Sequence, residues 1–420
     1  MTDKKCEFAG KGVVIIGGGQ AGHQTAESLR AGGYTDPIRI VGTETHLPYQ
    51  QPPLSKAFLK NEVAAERLPF RNAAYFAEKE ICLNLSETVV EINAKQKTIR
   101  SDKSTYGFDK LVIATGSTPR RLPVEGADLT GIVTLRTLDD AEDLKARFAT
   151  SKKVVIIGAG FIGLEVASTA LHLGLDVTVV EAMDRVMARV VSPTISEFFQ
   201  DAHKAKGLNL KVNTFFDHFV GQDGQVSGVT LKDGSTLECD LVLLGIGATA
   251  NDQLAKDAGL ATENGIVVDA QMRTSNPDIY AIGDCSFHPN QFWGGMFRLE
   301  SVQNAIDQGK VVATHVLGEQ VEYKAVPWFW SDQQGYKLQM VGLPKPDAEQ
   351  TVFGSVEDGA FTVLHTDGGF LTGVETVNQP AEQMAARQLL VMTPAVSVQE
   401  LTDAGDLKTV LKARRAAAKG

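Results

Sequence analysis

Two stretches decide the fold: VVIIGGGQAG at residues 13–22 and VVIIGAGFIG at residues 154–163. Each is a run of β-branched residues ending in Gly-X-Gly-X-X-Gly, with Gly17, Gly19 and Gly22 in the first and Gly158, Gly160 and Gly163 in the second. The pattern predicts a strand, a tight turn and a helix at both places. The first glycine allows the bend out of the strand, the second lets a pyrophosphate approach the backbone, and the third lets helix and strand pack closely. The helix start then offers unpaired N–H groups and a partial positive charge to phosphate. One copy is a weak signal. Two copies with the same flanks predict two dinucleotide sites on one chain, an arrangement suited to passing a hydride between them.

Outward from the first fingerprint, residues 12–17 read as a strand, 20–31 as a helix and PIRIVG (37–42) as a second strand. A proline-rich loop, HLPYQQPPLSK (46–56), follows, then alternating segments over 81–100 that suggest a meander. LVIATG (111–116) is nearly all apolar, as a strand buried on both faces of a parallel sheet requires. The cycle restarts with a strand at 153–160, a helix at 161–173 and a strand at 176–182, and LVLLGIG (241–247) supplies another buried strand. DIYAIGDC (278–285) reads as a strand that returns to the first sheet, so the second unit is an insertion in the first. From Pro327 the pattern changes to short alternating strands, with terminal helices near 380–392 and 397–417. The expected fold is α/β, with two Rossmann-like dinucleotide-binding domains, one inserted in the other, and a C-terminal α+β domain. The expected boundaries are 1–114 with 247–326, then 115–246, then 327–420.

At 420 residues, 43% hydrophobic and 22% charged, the composition is that of an ordinary globular protein. A net charge of −10 argues against nucleic acid or an anionic membrane as the main partner. Cys6, Cys82, Cys239 and Cys285 form no CxxC pair, so isolated reduced thiols are expected, with no disulfide framework or zinc site. MTDKKCEFAGKG leads straight into the first strand without a signal-peptide pattern, and no apolar run approaches about 18 residues. A cytoplasmic protein is the expectation.

The ordered series GGGQAG, PPLSKAFL, ATGSTPRRLP, GAGFIGLEVA, TSNPDIYAIGD, ESVQNAIDQGK and PWFWSDQ resembles the FAD-dependent NADH:ferredoxin reductases, across essentially the whole chain. These share the architecture of the flavoprotein disulfide reductases. The resemblance implies FAD at Gly17, Gly19 and Gly22, and NADH at Gly158, Gly160 and Gly163. Glu181 stands at the end of the second strand of the inserted unit, where an acid accepts hydrogen bonds from the ribose hydroxyls and repels a 2′-phosphate. NADH is therefore expected over NADPH, with Arg185 nearby as a source of NADPH tolerance. In the first unit Gly42 occupies the matching position, and Glu44 is the shifted candidate.

The resemblance further implies Lys56 beside the flavin ring and Glu165 near the nicotinamide, within reach of Lys56. It puts Asp284 on the ribityl hydroxyls, the Val302 amide at the flavin N1 and O2 side, and Trp330 against the ring, with Arg120 a further flavin-site candidate. QAGHQTAESLR (20–30) has no CxxxxC pair and LPYQQPPLSK (47–56) has no cysteine, so no redox thiol stands where related disulfide reductases and peroxidases carry one.

The implied reaction is hydride transfer from NADH to FAD N5, then single electrons to a [2Fe–2S] ferredoxin serving a cytochrome monooxygenase or a Rieske oxygenase. The alternatives are an NADH oxidase, a quinone or rubredoxin reductase, or a redox-responsive binding protein of the same fold. Ferredoxins are usually acidic, so docking calls for a local basic patch; Lys310, Lys337, Arg387, Lys408, Lys412, Arg414 and Arg415 are candidates. A monomer or weak dimer is expected.

Overall fold

The computed structural model describes residues 12–418. Cys6, with the rest of the leading segment 1–11, and the terminal Lys419 and Gly420 lie outside the described residues. The chain divides into two compact units, and the division does not follow sequence order. The first takes residues up to Gln50, then Ala65–Thr118 and Thr249–Ala325; the second takes Gln51–Ala64, Pro119–Ala248 and Val326 onward.

In the first unit, five parallel strands lie in the order Ile279–Ala281, Lys110–Ile113, Val13–Ile16, Ile38–Val41, Ile81–Asn84. Val13, Val14, Ile15 and Ile16 are all buried, as a central parallel strand covered on both faces demands. The chain runs from this strand to one side and later returns to its other side. The turn at Gly17 therefore opens at the switch point of the sheet, where ligands bind in open α/β folds. Helix Gln20–Ala31 follows and packs on helix Val302–Val316. Gly309 permits the approach: a Cβ there would stand 3.1 Å from the Ala21 carbonyl oxygen and the Thr25 hydroxyl. The expected meander over 81–100 is only partly one. Ile81–Asn84 forms the edge of the parallel sheet, and the antiparallel sheet is Val89–Asn93, Thr98–Ser101 and Thr105–Gly107.

The second unit repeats the plan: Asn209–Lys211, Asp176–Val180, Lys153–Ile157, Leu241–Leu244 and Ile132–Val133, all parallel. To it belongs a five-stranded antiparallel sheet, in the order Trp328–Gln333, Tyr336–Gly342, Phe370–Val377, Ala360–Asp367, Glu349–Ser355. Ile156, Phe199, Leu338 and Phe361 share one core, so the inserted βαβ layer and the antiparallel sheet are not separately cored. The segment Gln51–Ala64 joins this unit through Leu59.

The single helix expected over 397–417 is two helices, Val398–Ala404 and Leu407–Ala417. Gly405 adopts φ +73°, a left-handed stop that favours glycine, and the Asp406 side chain accepts the Thr409 N–H at 2.7 Å to start the next helix. The cysteines need one correction as well. Cys239 and Cys285 are free and buried, whereas Cys82 is disulfide-bonded. Among the described residues no helix is long and apolar enough to cross a membrane.

Candidate active site

Both fingerprints have the geometry their spacing demands. Gly17 has φ +109°, and a Cβ there would stand 2.2 Å from the Ala114 carbonyl oxygen; Gly158 has φ +102°, with the Gly245 oxygen 2.4 Å from the same point. At the third glycines, a Cβ on Gly22 would meet the Gly17 oxygen at 2.1 Å, and one on Gly163 the Gly158 oxygen at 2.2 Å. No side chain fits these four positions without moving backbone. The middle glycines differ. A Cβ on Gly19 would meet nothing within 4 Å, and one on Gly160 only the Gly245 oxygen at 4.0 Å. That open ground in front of a helix N-terminus is the space a pyrophosphate needs. Helices Gln20–Ala31, Phe161–His172 and Val302–Val316 carry no acid in the first turn, so no carboxylate of their own first turn competes for their N-terminal amides. These features fit two dinucleotides.

Glu181 closes over the second fingerprint. Its Oε2 accepts the Ala159 N–H at 2.7 Å and its Oε1 the Met183 N–H at 2.8 Å, which fixes the carboxylate beside the turn. Arg185 is not free to reach a 2′-phosphate. It donates to the carbonyls of Val191 and Ala188 at 2.8 Å each and to the Ser196 hydroxyl at 2.6 Å, pinning the loop that follows Glu181. In the first unit a Cβ on Gly42 would lie 3.6 Å from the Gly18 nitrogen, which matches Ala159 in the fingerprint, so no carboxylate closes that turn from Gly42. Glu44 faces Tyr49 instead, accepting its hydroxyl hydrogen at 2.6 Å.

Asp284 lies in the short turn Gly283–Cys285 just past the edge strand, half-buried, with its Oδ2 accepting the Ser117 hydroxyl at 3.1 Å. Val302 is the first residue of its helix, and Ser301 caps it by accepting the Asn304 N–H at 3.1 Å. A helix cannot satisfy its own first amides, so they are available to a bound acceptor.

The second unit gathers Lys56, Glu165 and Trp330. Lys56 Nζ stands 2.5 Å from Glu165 Oε2, with the lysine 19% exposed and the glutamate 2%. Ser55, which the sequence did not single out, donates its hydroxyl to the same oxygen at 2.6 Å. Ser331, also unanticipated, donates to Oε1 at 2.6 Å. The Thr169 hydroxyl, one turn beyond Glu165, holds the Ser55 carbonyl at 2.9 Å. Hydroxyls at PPLS and FWSD are the signal that could have found them, since each flanks a residue already singled out. Trp330 is half-buried, stacked on Trp328 with centroids 5.4 Å apart and outside every core cluster, so part of its surface is open. Arg120 is exposed; its backbone N–H donates to Gly247, and its guanidinium makes no hydrogen bond or ion pair among the described residues.

Neither free cysteine is a candidate relay. Burial holds the Cys239 thiol up at about 12 and raises that of Cys285, and both side chains are shut in. Among the described residues no group of three or more His, Cys, Asp or Glu is arranged to hold a metal ion. The basic patch is thinner than the sequence suggests. Arg414 grips Glu400 at 2.7 Å and 2.8 Å as well as the Pro394 and Ala395 carbonyls, and Arg387 lies over the Trp328 ring at 4.9 Å. Lys408 pairs with Glu382 at 3.3 Å, whereas Lys337 and Lys412 are exposed with no ion pair among the described residues.

Residues 11–309 match the family model of the pyridine nucleotide-disulphide oxidoreductases, and residues 328–411 match that of the reductase C-terminal domain. Rhodocoxin reductase of Rhodococcus erythropolis is 44% identical over 401 residues, which cover 95% of this chain and 94% of that protein. Rubredoxin-NAD(+) reductase of Pseudomonas putida is 40% identical over 374 residues, covering 89% of this chain and 97% of its own. Among solved structures, the ferredoxin reductase for the CYP199A2 system of Rhodopseudomonas palustris superposes with a TM-score of 0.92. It is 42% identical, and the match covers 96% of this chain and 100% of that one.

Proposed function

The chain belongs to the pyridine nucleotide-disulphide oxidoreductase family, and from that premise we propose that it is an NADH-dependent ferredoxin reductase. In this reading residues 1–114 and 247–326 bind FAD, 115–246 bind NADH, and 327–420 complete the enzyme as an α+β domain. The observation that carries the reading is the pair of complete glycine fingerprints, each at its sheet's switch point, in a chain whose free thiols among the described residues, Cys239 and Cys285, are buried. Two dinucleotides with no cysteine in residues 20–30 or 47–56 leave the flavin itself as the exit for electrons. When bound, FAD accepts a hydride as a pair and releases electrons singly, which is the conversion a one-electron iron–sulfur acceptor needs.

The protein's part is to bind, orient and hold charge. The turns at Gly19 and Gly160 admit the pyrophosphates, and Glu181 holds the NADH ribose while repelling a 2′-phosphate. Asp284 takes the ribityl hydroxyls, and the first amides of helix Val302–Val316 stabilise negative charge on the reduced ring. Trp330 packs against the ring, and Arg120 borders the flavin site. Lys56 holds a positive charge beside the flavin, paired with Glu165, which orients the nicotinamide.

The partner in this reading is a small acidic [2Fe–2S] ferredoxin, consistent with the relative that serves a CYP199A2 system. It feeds a cytochrome monooxygenase or a Rieske oxygenase, and docking uses the exposed Lys337 and Lys412. The rubredoxin reductase at 40% identity keeps rubredoxin as a second candidate acceptor. Steady-state NADH oxidation is the test, run with a ferredoxin panel, rubredoxin, quinones and oxygen. A ferredoxin should support turnover far above the oxygen background. Turnover with quinone or oxygen alone refutes the proposal.

A further inference from the structure

Behind Glu165 runs a chain of buried polar groups that the reaction as described does not use. Ser331, Gln333 and His203 are 0%, 1% and 0% exposed. Ser331 Oγ lies 2.6 Å from Glu165 Oε1, Gln333 Nε2 is 2.9 Å from Ser331 Oγ, and His203 Nε2 is 3.0 Å from Gln333 Oε1. Gln334 Nε2 closes the far end, 3.2 Å from His203 Nδ1.

The donors can be assigned from one end. An ionised carboxylate only accepts, so the Ser331 hydroxyl donates to Glu165. That hydroxyl then accepts from the Gln333 amide nitrogen, which leaves the Gln333 oxygen to accept from His203 Nε2–H. His203 Nδ1 is left as an acceptor, and the Gln334 amide fills it. The four hydrogen bonds of the chain point toward Glu165, and the two that His203 makes require a neutral imidazole in the Nε2–H form. Burial, the larger influence, pushes the His203 pKa down to about 4, against a smaller upward pull from Gln333, so the ring stays neutral at ordinary pH.

Stability alone does not account for such a chain. Met187, Phe199, Leu338 and Phe361 belong to a hydrophobic core in the same unit, and apolar side chains there are commonly as stable as buried polar ones. What it adds is orientation, because serial hydrogen bonds polarise one another and hold their terminal group in one rotamer. We propose that Ser331, Gln333 and His203 are positioning residues that fix the Glu165 carboxylate, and through it Lys56, for reduction of the enzyme by NADH. Ser55 and Lys56 supply donors to Oε2 alone, so among the described residues Ser331 is the only donor given to Oε1. This inference rests on the reading of the protein as an NADH-reduced flavoenzyme.

The test uses the FAD-loaded enzyme and its Ser331→Ala, Ser331→Thr and Gln333→Met variants. Flavin reduction is followed by rapid mixing over a range of NADH concentrations, and NAD⁺ binding is titrated separately. A hydrogen bond to a charged group is worth enough that Ser331→Ala should lower the limiting reduction rate about tenfold. NAD⁺ affinity should stay within about twofold, and Ser331→Thr should restore most of the rate, because it restores the donor. Gln333→Met, which keeps the volume, should slow reduction by a smaller factor, about threefold, and gives the answer should Ser331→Ala fail to fold. A readout free of turnover comes from ring-¹⁵N histidine spectra: His203 should be protonated at Nε2 and bare at Nδ1, and its signals should move in both loss-of-donor variants. A wild-type rate in Ser331→Ala, equal slowing in the alanine and threonine variants, or an Nδ1–H tautomer overturns the inference while leaving the parent reading intact. Failure of NADH to reduce the wild-type enzyme at all refutes both.

Discussion

His203 sets a measurable pH dependence of stability. In the unfolded chain its pKa is near 6.5; in the folded protein burial holds it at about 4. Between these values the unfolded state binds more protons than the native one, so stability falls as the pH falls. The loss begins near pH 6.5, grows as the pH drops and is complete below about 4. With those two values, linkage gives a loss of about 2 kcal/mol by pH 5.0 and almost none at pH 7.5. His203→Gln keeps an amide donor for Gln333 but does not titrate, so it removes this share alone. His23, His288 and His315 are shifted down by burial too, but their contributions cancel when variant and parent are compared. The assay is equilibrium urea unfolding at pH 7.5 and 5.0. The stability difference between parent and variant should change by about 2 kcal/mol between the two, in favour of the variant at pH 5.0. A difference constant within about 0.5 kcal/mol would show that His203 is not a buried neutral base, a margin well inside the linkage value.

Five further variants have expected outcomes. Glu181→Ser removes the carboxylate held by Ala159 and Met183, and should raise the KM for NADH by roughly tenfold while narrowing the preference over NADPH; steady-state kinetics with both coenzymes checks this. Gly19→Val enters open ground and should leave thermal stability of the flavin-free protein nearly unchanged while lowering flavin occupancy, read by absorbance. Gly22→Ala, whose Cβ would stand 2.1 Å from the Gly17 oxygen, should instead cost roughly 2 kcal/mol or more of stability, measured by urea unfolding. Lys412→Glu should slow ferredoxin reduction and flatten its salt dependence, whereas Arg414→Ala, which breaks the Glu400 pair and two carbonyl contacts, should lower the melting temperature; salt titration and thermal unfolding separate the two.

The two nucleotide folds were legible because their signals are local. A β-branched run, a glycine turn and an amphipathic helix lie within about 20 residues, and the apolar returning strands at 110–113 and 241–244 announce burial on both faces. The reading slipped at Gly405 and Asp406, where helical periodicity on both sides masked a left-handed stop and a new cap. It could not foresee that Gln51–Ala64 would leave the unit containing its sequence neighbours, because that depends on where Leu59 finds a core. The residues around Glu165 were hidden for the same reason. Ser55 and Ser331 stand 110 and 166 positions from it, and their one local mark is that each adjoins a residue already singled out, Lys56 or Trp330. Motif reading found the charged pair and missed the neutral groups that hold it.

The central claim is that electrons leave this enzyme from its flavin to an iron–sulfur protein. Anaerobic double mixing tests it most directly: the FAD-loaded enzyme is first reduced with one equivalent of NADH, then mixed with a [2Fe–2S] ferredoxin in one run and with oxygen or a quinone in others. The account predicts rapid bleaching by NADH and reoxidation by at least one ferredoxin orders of magnitude faster than by oxygen. Fast reoxidation by oxygen or quinone, with every iron–sulfur protein slow, would contradict it.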